Sequence, residues 1–136
     1  IGSHVVIANS CQFAGHVHVE DHVKISGACM FNQFVVLGKY SYITGDSAVN
    51  KDIPPFTIAQ GKYAVIRAAN EVGMERSGFD KKEVENIRRA VRILTKGKLT
   101  LDGALARIAE ECEPVPALND FVNFIKSEER QRGLAI

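Results

Sequence analysis

No apolar run in this 136-residue sequence is long enough to cross a membrane as a helix, and no segment has the form of a secretion signal. Charge of either sign is not in excess. A net charge of +1 is too small to argue for a nucleic-acid partner. Cysteine is sparse, with three residues, and no spacing among them reads as a zinc site. Proline is absent before Pro54. What remains is 46% apolar and 24% charged, the balance of a soluble globular protein, and enough for one domain or a small domain with an appendage.

The stretch from Ile1 to Pro54 divides into blocks of six without an insertion. The first places are Ile1, Ile7, Phe13, Val19, Ile25, Phe31, Leu37, Ile43 and Val49. The fifth places are Val5, Cys11, Val17, Val23, Cys29, Val35, Ser41, Ser47 and Ile53. A period of six fits neither a helix nor plain strand alternation. It fits a solenoid whose repeats bury their apolar faces only against one another. A short strand and a tight turn make one wall of a prism. The large first residue fills the lumen and the small fifth residue sits near the corner. Three blocks close a coil, so residues 18 apart should stack at the usual strand spacing of about 4.8 Å. Glycines and polar residues, such as Gly2, Asn9, Ser26 and Gly38, are expected at the corners. The chain starts at Ile1, without methionine and on a block boundary, and so reads as a piece of a longer protein with further coils upstream.

Two adjacent prolines, Pro54 and Pro55, cannot donate to a strand ladder and mark the exit from the solenoid. Phe56 to Gln60 reads as a last extended piece released by Gly61. Tyr63 to Arg76 reads as partly helical, ending near Gly78. Asp80 and Glu83 have the spacing of a capping box, with Glu83 reaching back. Val84, Ile87, Val91 and Leu94 then recur at helical spacing until Gly97. Thr100 can cap a second helix, with Leu101, Leu105 and Ile108 inward. Pro116 suits the first turn of a third helix, striped by Leu118, Phe121, Val122 and Ile125. Residues 128–136 read as a frayed end. The division is therefore a β-helix over 1–60, a connector with a short helix over 61–79, and a three-helix domain over 80–136.

Cys11 and Cys29 are 18 apart, stack in adjacent coils, and read as buried thiols, with Cys112 a packing residue. Of the four histidines, His4 and His22 share a face, and they and His18 read as solvated. His16 stands beside Asn32 and Gln33 of the next coil, where a neutral imidazole can hold a substrate hydroxyl or amide. None of the four has metal-ligand spacing. Gly27 and Gly45 are also 18 apart. They make either a side-chain-free lane for an extended apolar chain or a pair of corner glycines needing positive φ. Residues 81–98 hold seven basic and two acidic side chains, with Lys81, Arg88 and Arg92 opposite the apolar stripe. That face is either solvated or a dock for an acidic partner.

Taken in order, several of these motifs resemble one family. They are the hexapeptide repeats, Phe13-Ala-Gly-His16, Asn32-Gln33-Phe34, Asp52-Ile-Pro-Pro-Phe-Thr-Ile-Ala-Gln-Gly61 and Arg76-Ser-Gly-Phe79 with its helical tail. The sequence is similar in them to the acyl-carrier-protein–UDP-N-acetylglucosamine O-acyltransferases that begin lipid A synthesis. The resemblance implies a cytoplasmic homotrimer of left-handed parallel β-helices with active sites between subunits. It implies transfer of an acyl chain from the phosphopantetheine thioester of acyl carrier protein to the sugar 3-hydroxyl, with no resident cofactor or metal. The family's histidine base matches a position a few residues ahead of Ile1. His16 matches a sugar contact, Gly15 an oxyanion-stabilising amide, and Gln33 a sugar or pantetheine contact. Gly45 matches the acyl-length ruler, and Asn70 and Arg76 match phosphate contacts. Asn32, Val72 and Ser77 depart from the family's usual histidine, acid and second arginine. Two rivals stand beside this reading: the N-acyltransferase of the same pathway, and a non-catalytic trimeric β-helix that only binds a partner.

Overall fold

The six-residue period folds as two-residue strands separated by tight corners. The computed structural model describes residues 1–127 and 129–136. Wall one is built from β1 (Val6–Ile7), β4 (Lys24–Ile25) and β7 (Tyr42–Ile43); wall two from β2 (Gln12–Phe13), β5 (Met30–Phe31) and β8 (Ala48–Val49); wall three from β3 (His18–Val19) and β6 (Val36–Leu37). All of these pairs are parallel, and their register is 18: Val6 faces Lys24, Lys24 faces Tyr42, Gln12 faces Met30 and His18 faces Val36. The chain forms the parallel β-helix of about three coils expected from the repeat, of the left-handed kind that the resemblance implies.

The lumen holds the first- and fifth-place side chains. Val19, Val23, Ile25, Cys29, Phe31, Val35, Leu37, Ile43 and Val49 are buried as one cluster. Burying each large member stabilises the fold by about 1.5–3 kcal/mol. Phe13 stacks on Phe31 with ring centroids 4.7 Å apart. The thiols of Cys11 and Cys29 are free, and each lies 3.2 Å from a backbone carbonyl, Ser26 and Thr44 respectively. Burial pushes the Cys29 thiol above its ordinary pKa.

The corners depart from the expected pattern. The left-handed conformation falls not on the glycines but on His4, Ser10, His16, His22, Ala28, Phe34, Tyr40 and Asp46, with φ between 56° and 65°. From His22 on, backbone hydrogen bonds to the preceding coil hold this costly conformation. Examples are His22 N to Ser3 O, 2.9 Å, Phe34 N to Gly15 O, 3.2 Å, and Asp46 N to Gly27 O, 2.9 Å.

The ninth block is also shorter than the repeat predicts. Leu37 bridges Ile53, and Tyr42 faces Ile58, both 16 residues on. Two residues are lost at the corner after Val49, which moves Ile53 from a fifth place to a first. Pro54 and Pro55 then pass tightly beneath Gly38, where a Cβ would overlap the Pro55 nitrogen. Glycine is needed there for close approach.

β9 (Thr57–Gly61) extends wall one, and β10 (Ala64–Ala69) pairs antiparallel with β9. Of the stretch from Tyr63 to Arg76, read as partly helical, residues 64–69 are therefore strand. Ala64, Ile66 and Ala69 are buried and the edge of β9 needs a partner, so the segment extends. Only α1 (Glu71–Arg76) is helical in this region. α2 (Lys81–Lys96), α3 (Leu101–Glu111) and α4 (Pro116–Lys126) follow. Their core joins Ile87, Val91, Ile108, Leu118 and Phe121 to Phe56, Ile66 and Met74, so the bundle packs on the hairpin. Leu101 points outward, at 39% exposed, and Ala104 takes the inward place.

Asp80 caps α2 through the Glu83 amide at 2.8 Å. Glu83 does not reach back. Its carboxylate accepts from Ala117 N at 3.3 Å. The first turn of α4 has no side-chain cap of its own, and its orphan amides attract an anion. Gly97 ends α2 in right-handed conformation, with the left-handed turn on Lys98.

The end of the chain is not frayed. Glu128 lies outside the described residues. Beyond it, Asp52 N donates to Gly133 O at 2.8 Å, Ala135 N to Asp52 O at 3.0 Å, and Ile66 N to Ala135 O at 2.8 Å. Leu134 and Ala135 are buried. The open edge of wall three supplied hydrogen-bonding groups that a reading of local sequence does not see.

Candidate active site

The candidate residues sit on the prism's edges, and the topology assigns them to three different ones. The edge between walls two and three carries Gly15, His16, Asn32 and Gln33, all exposed. The His16 ring stacks on Phe34 with centroids 5.1 Å apart. That fixes the imidazole's plane while leaving its outer side open. A Cβ on Gly15 would lie 3.5 Å from Gln33 Nε2, an ordinary contact, so the Gln33 side chain covers that spot. The Gly15 N–H donates to no described atom. At the same place in other blocks, Ser3 N donates to Asp21 Oδ1, 2.7 Å, and Lys39 N to Glu20 Oε1, 3.0 Å. The Gly15 N–H is thus an exposed backbone donor without the carboxylate that serves its counterparts, open to an acceptor from outside the chain.

The edge between walls one and two carries Gly27 and Gly45. Neither has positive φ. A Cβ on Gly27 would stand 3.4 Å from Asn9 O, and one on Gly45 would stand 3.6 Å from Gly27 O. The two glycines therefore stack as expected, and neither the backbone nor packing within the chain demands them. Of the two readings of this pair, the positive-φ one is excluded.

The edge between walls three and one carries a ladder of rings. His4 stacks on His22 at 4.9 Å, His22 on Tyr40 at 4.5 Å, and Tyr40 on Phe56 at 5.7 Å, with Phe79 edge-on to the last two. His4 and His22 thus join a ladder rather than standing as separate solvated side chains. A cleft of about 120 Å³ opens there, lined by His4, His22, Lys24, Tyr40, Asn70 and Ser77. Asn70 caps α1, accepting from Gly73 N at 3.2 Å and donating to Tyr40 O at 2.9 Å. It thereby aims the helix that carries exposed Arg76. Val72 and Ser77 are exposed beside it.

Lys81, Arg88 and Arg92 form an exposed row on α2. Arg88 lies 3.7 Å from Glu71, while neighbouring Lys82 and Arg89 are tied to Glu113 and the Glu111 carbonyl. Among the described residues no three His, Cys, Asp or Glu side chains gather as a metal cage, and no helix is long and apolar enough to cross a membrane.

One cluster escaped the sequence reading. Asp52 is fully buried, accepting from Val36 N at 2.8 Å and Arg130 Nη1 at 2.7 Å. Burial pushes its carboxyl above the ordinary range, against those two donors, which pull it down. Arg130 also donates to the carbonyls of Phe124, Ile125 and Arg132. Arg132 Nε in turn donates to Gln33 O at 3.0 Å. The only sequence signal was an aspartate beside the solenoid exit.

The comparisons with known proteins agree with this architecture. The family model described as UDP-N-acetylglucosamine O-acyltransferase, domain 2, matches residues 52–135. An acyl-[acyl-carrier-protein]–UDP-N-acetylglucosamine O-acyltransferase of Myxococcus xanthus is 42% identical over 114 residues, covering 84% of this chain and 44% of its own. The Aliivibrio salmonicida protein of the same name is 36% identical over 130 residues, covering 96% and 50%. A crystal structure of the UDP-N-acetylglucosamine acyltransferase of Bacteroides fragilis superposes with a TM-score of 0.90 at 32% identity, over 96% of this chain and 50% of that one. The Campylobacter jejuni enzyme gives 0.85 at 34%, over 97% and 50%. The chain spans about half the length of the curated relatives it matches. With the repeat, the Pro-Pro exit and the helical end all in place, this chain belongs to the acyl-[acyl-carrier-protein]–UDP-N-acetylglucosamine O-acyltransferase family.

Proposed function

We propose that this chain is the C-terminal part of an acyltransferase that moves a long acyl chain from acyl carrier protein to the 3-hydroxyl of a UDP-N-acetylglucosamine-type sugar, the first step of lipid A synthesis. The observation that carries the reading is the placement of the candidate residues on three separate edges of one prism. A single chain holds its oxyanion donor, its glycine lane and its phosphate-side helix apart. A homotrimer brings edges of neighbouring copies together, and the site lies in the cleft between them.

In this reading His16 and Gln33 hold the sugar, with Asn32 beside them. Asn70 and Arg76 serve the phosphates, and the acyl chain lies along Gly27 and Gly45. The sugar hydroxyl oxygen attacks the thioester carbonyl as a histidine takes its proton. The Gly15 amide stabilises the oxyanion. The carbon–sulfur bond then breaks, and the pantetheine sulfur leaves with the proton returned by the imidazolium. No histidine of residues 1–136 is assigned as that base. His16 is a sugar contact. Lys81, Arg88 and Arg92 dock the acidic carrier protein. The reading calls for no resident cofactor or metal and places the enzyme in the cytoplasm. The family match favours the O-acyl over the N-acyl product.

Residues 1–136 should bind UDP-N-acetylglucosamine and acyl carrier protein yet turn neither over. Turnover by this chain alone would show that the base is misassigned. Binding of neither substrate would sink the reading. Reversing charge at Lys81, Arg88 and Arg92 should weaken carrier-protein binding and spare the sugar nucleotide, whereas equal loss of both counts against docking there.

A further inference from the structure

The C-terminal tail touches the candidate catalytic edge, although nothing in the reaction as proposed requires it to. From that contact we infer that Arg132 is a positioning residue for the Gly15–His16 edge, an inference that rests on the functional reading above. The connection is continuous. The Asp52 carboxylate, buried in wall three, holds Arg130 at 2.7 Å, and Arg130 Nη1 also donates to the Arg132 carbonyl at 3.1 Å. The backbone at Arg132 is thus fixed before its side chain acts. Arg132 Nε donates to the Gln33 carbonyl at 3.0 Å. Gln33 places its side-chain amide over Gly15. The next residue, Phe34, donates its N–H to Gly15 O at 3.2 Å and stacks its ring on His16 at 5.1 Å.

The contact is between residues 99 apart in sequence. It restrains the one peptide from which both braces of the Gly15–His16 edge, the Gln33 side chain and the Phe34 backbone, are hung. The N–H side of this peptide is bonded to Gly15 O, but among the described residues its carbonyl accepts only from Arg132, and without that donor the corner is held from one side. A charged donor on its carbonyl holds it from the other. Preorganisation of this kind lowers the ordering cost of binding. Arg132 touches neither substrate nor reacting atoms in this account. It acts through Gln33.

The test uses residues 1–136 labelled with nitrogen-15, with UDP-N-acetylglucosamine as probe. Arg132→Ala should shift or broaden the Gly15 amide and the Gln33 side-chain amide signals. It should leave the Val36 amide, which is bonded to the Asp52 carboxylate and so reports the Asp52–Arg130 clamp, in place. Affinity for the sugar nucleotide should fall about tenfold, the scale of losing one charged hydrogen bond, while the thermal midpoint stays within a few degrees. Arg132→Lys, which keeps a charged donor, should recover most of the affinity. Unchanged Gly15 and Gln33 signals, or unchanged affinity in Arg132→Ala, overturns the role of Arg132 and leaves the functional reading standing. Failure of the wild-type chain to bind the sugar nucleotide at all overturns both.

Discussion

Arg130→Met tests the tail clamp and has a calculable pH signature. In the native protein the Asp52 side chain is 0% exposed and that of Arg130 is 11% exposed, with 2.7 Å between Nη1 and Oδ2. Removing the guanidinium strands a buried carboxylate that keeps only the Val36 amide. Breaking a buried pair from one side costs about 3–5 kcal/mol near neutral pH, because the remaining charge has lost its partner. Protonation offers relief. Burial already raises the Asp52 pKa above its ordinary value, and loss of Arg130 raises it further. A carboxyl with a raised folded-state pKa binds more protons when folded. Its stabilising contribution is therefore complete below the unfolded pKa and is lost as pH rises through the folded one. The gap between variant and wild type should be small near pH 4 and full at pH 7. Urea denaturation at both values, followed by circular dichroism, measures it. Asp52→Asn in the Arg130→Met background should recover part of the loss, since no charge then remains buried. A gap under about 1 kcal/mol at pH 7, or an equal gap at both pH values, would refute the reasoning that the tail is held by this buried pair.

The serines at two consecutive fifth places, Ser41 and Ser47, give a paired prediction. Ser41 Oγ is buried without a partner among the described residues, so Ser41→Ala should leave stability unchanged or raise it by up to about 1 kcal/mol. Ser47 Oγ donates to Thr44 O at 2.8 Å and accepts from Gly61 N at 3.3 Å, so Ser47→Ala should cost about 1 kcal/mol in thermal unfolding; the reverse order would count against the lumen packing. Gly45→Met should barely change stability, because a Cβ has room there, yet lower affinity for long-chain acyl-pantetheine at least tenfold and spare short chains. An equal loss for both lengths would remove the lane. The Cys29 thiol, with its pKa raised by burial, should resist alkylation at neutral pH and react only well into the alkaline range. Rapid labelling at pH 7, read by mass spectrometry, would contradict its placement in the lumen.

The solenoid was legible because each residue's role depends on partners at a fixed distance in sequence. Once Ile7, Phe13 and Val19 are read as first-place residues, their neighbours Ile25, Phe31 and Leu37 follow by adding 18. The helices were legible from caps and stripes. The reading failed where the fold answers to distant partners. Residues 64–69 became a strand because β9 had an open edge, and Gly133 to Ala135 became ordered because wall three did. Val49 to Ile53 lost two residues from the repeat without any local signal. The left-handed corners fell on His22 and Tyr40 because backbone bonds between coils outweigh residue preference. Gly27 and Gly45 stack as their spacing of 18 implies, but the Asp52–Arg130–Arg132 connection spans most of the chain and has no periodicity to reveal it.

The shared cleft is tested most directly by mixing two defective chains. His16→Ala damages the edge between walls two and three, and Arg76→Ala damages the helix beside the edge between walls three and one. Each variant alone should fail to bind UDP-N-acetylglucosamine by calorimetry. Refolded together, they should regain a fraction of wild-type sites, because some clefts then pair an intact edge from each copy. Mixtures that bind no more than the separate variants would contradict a site built between subunits.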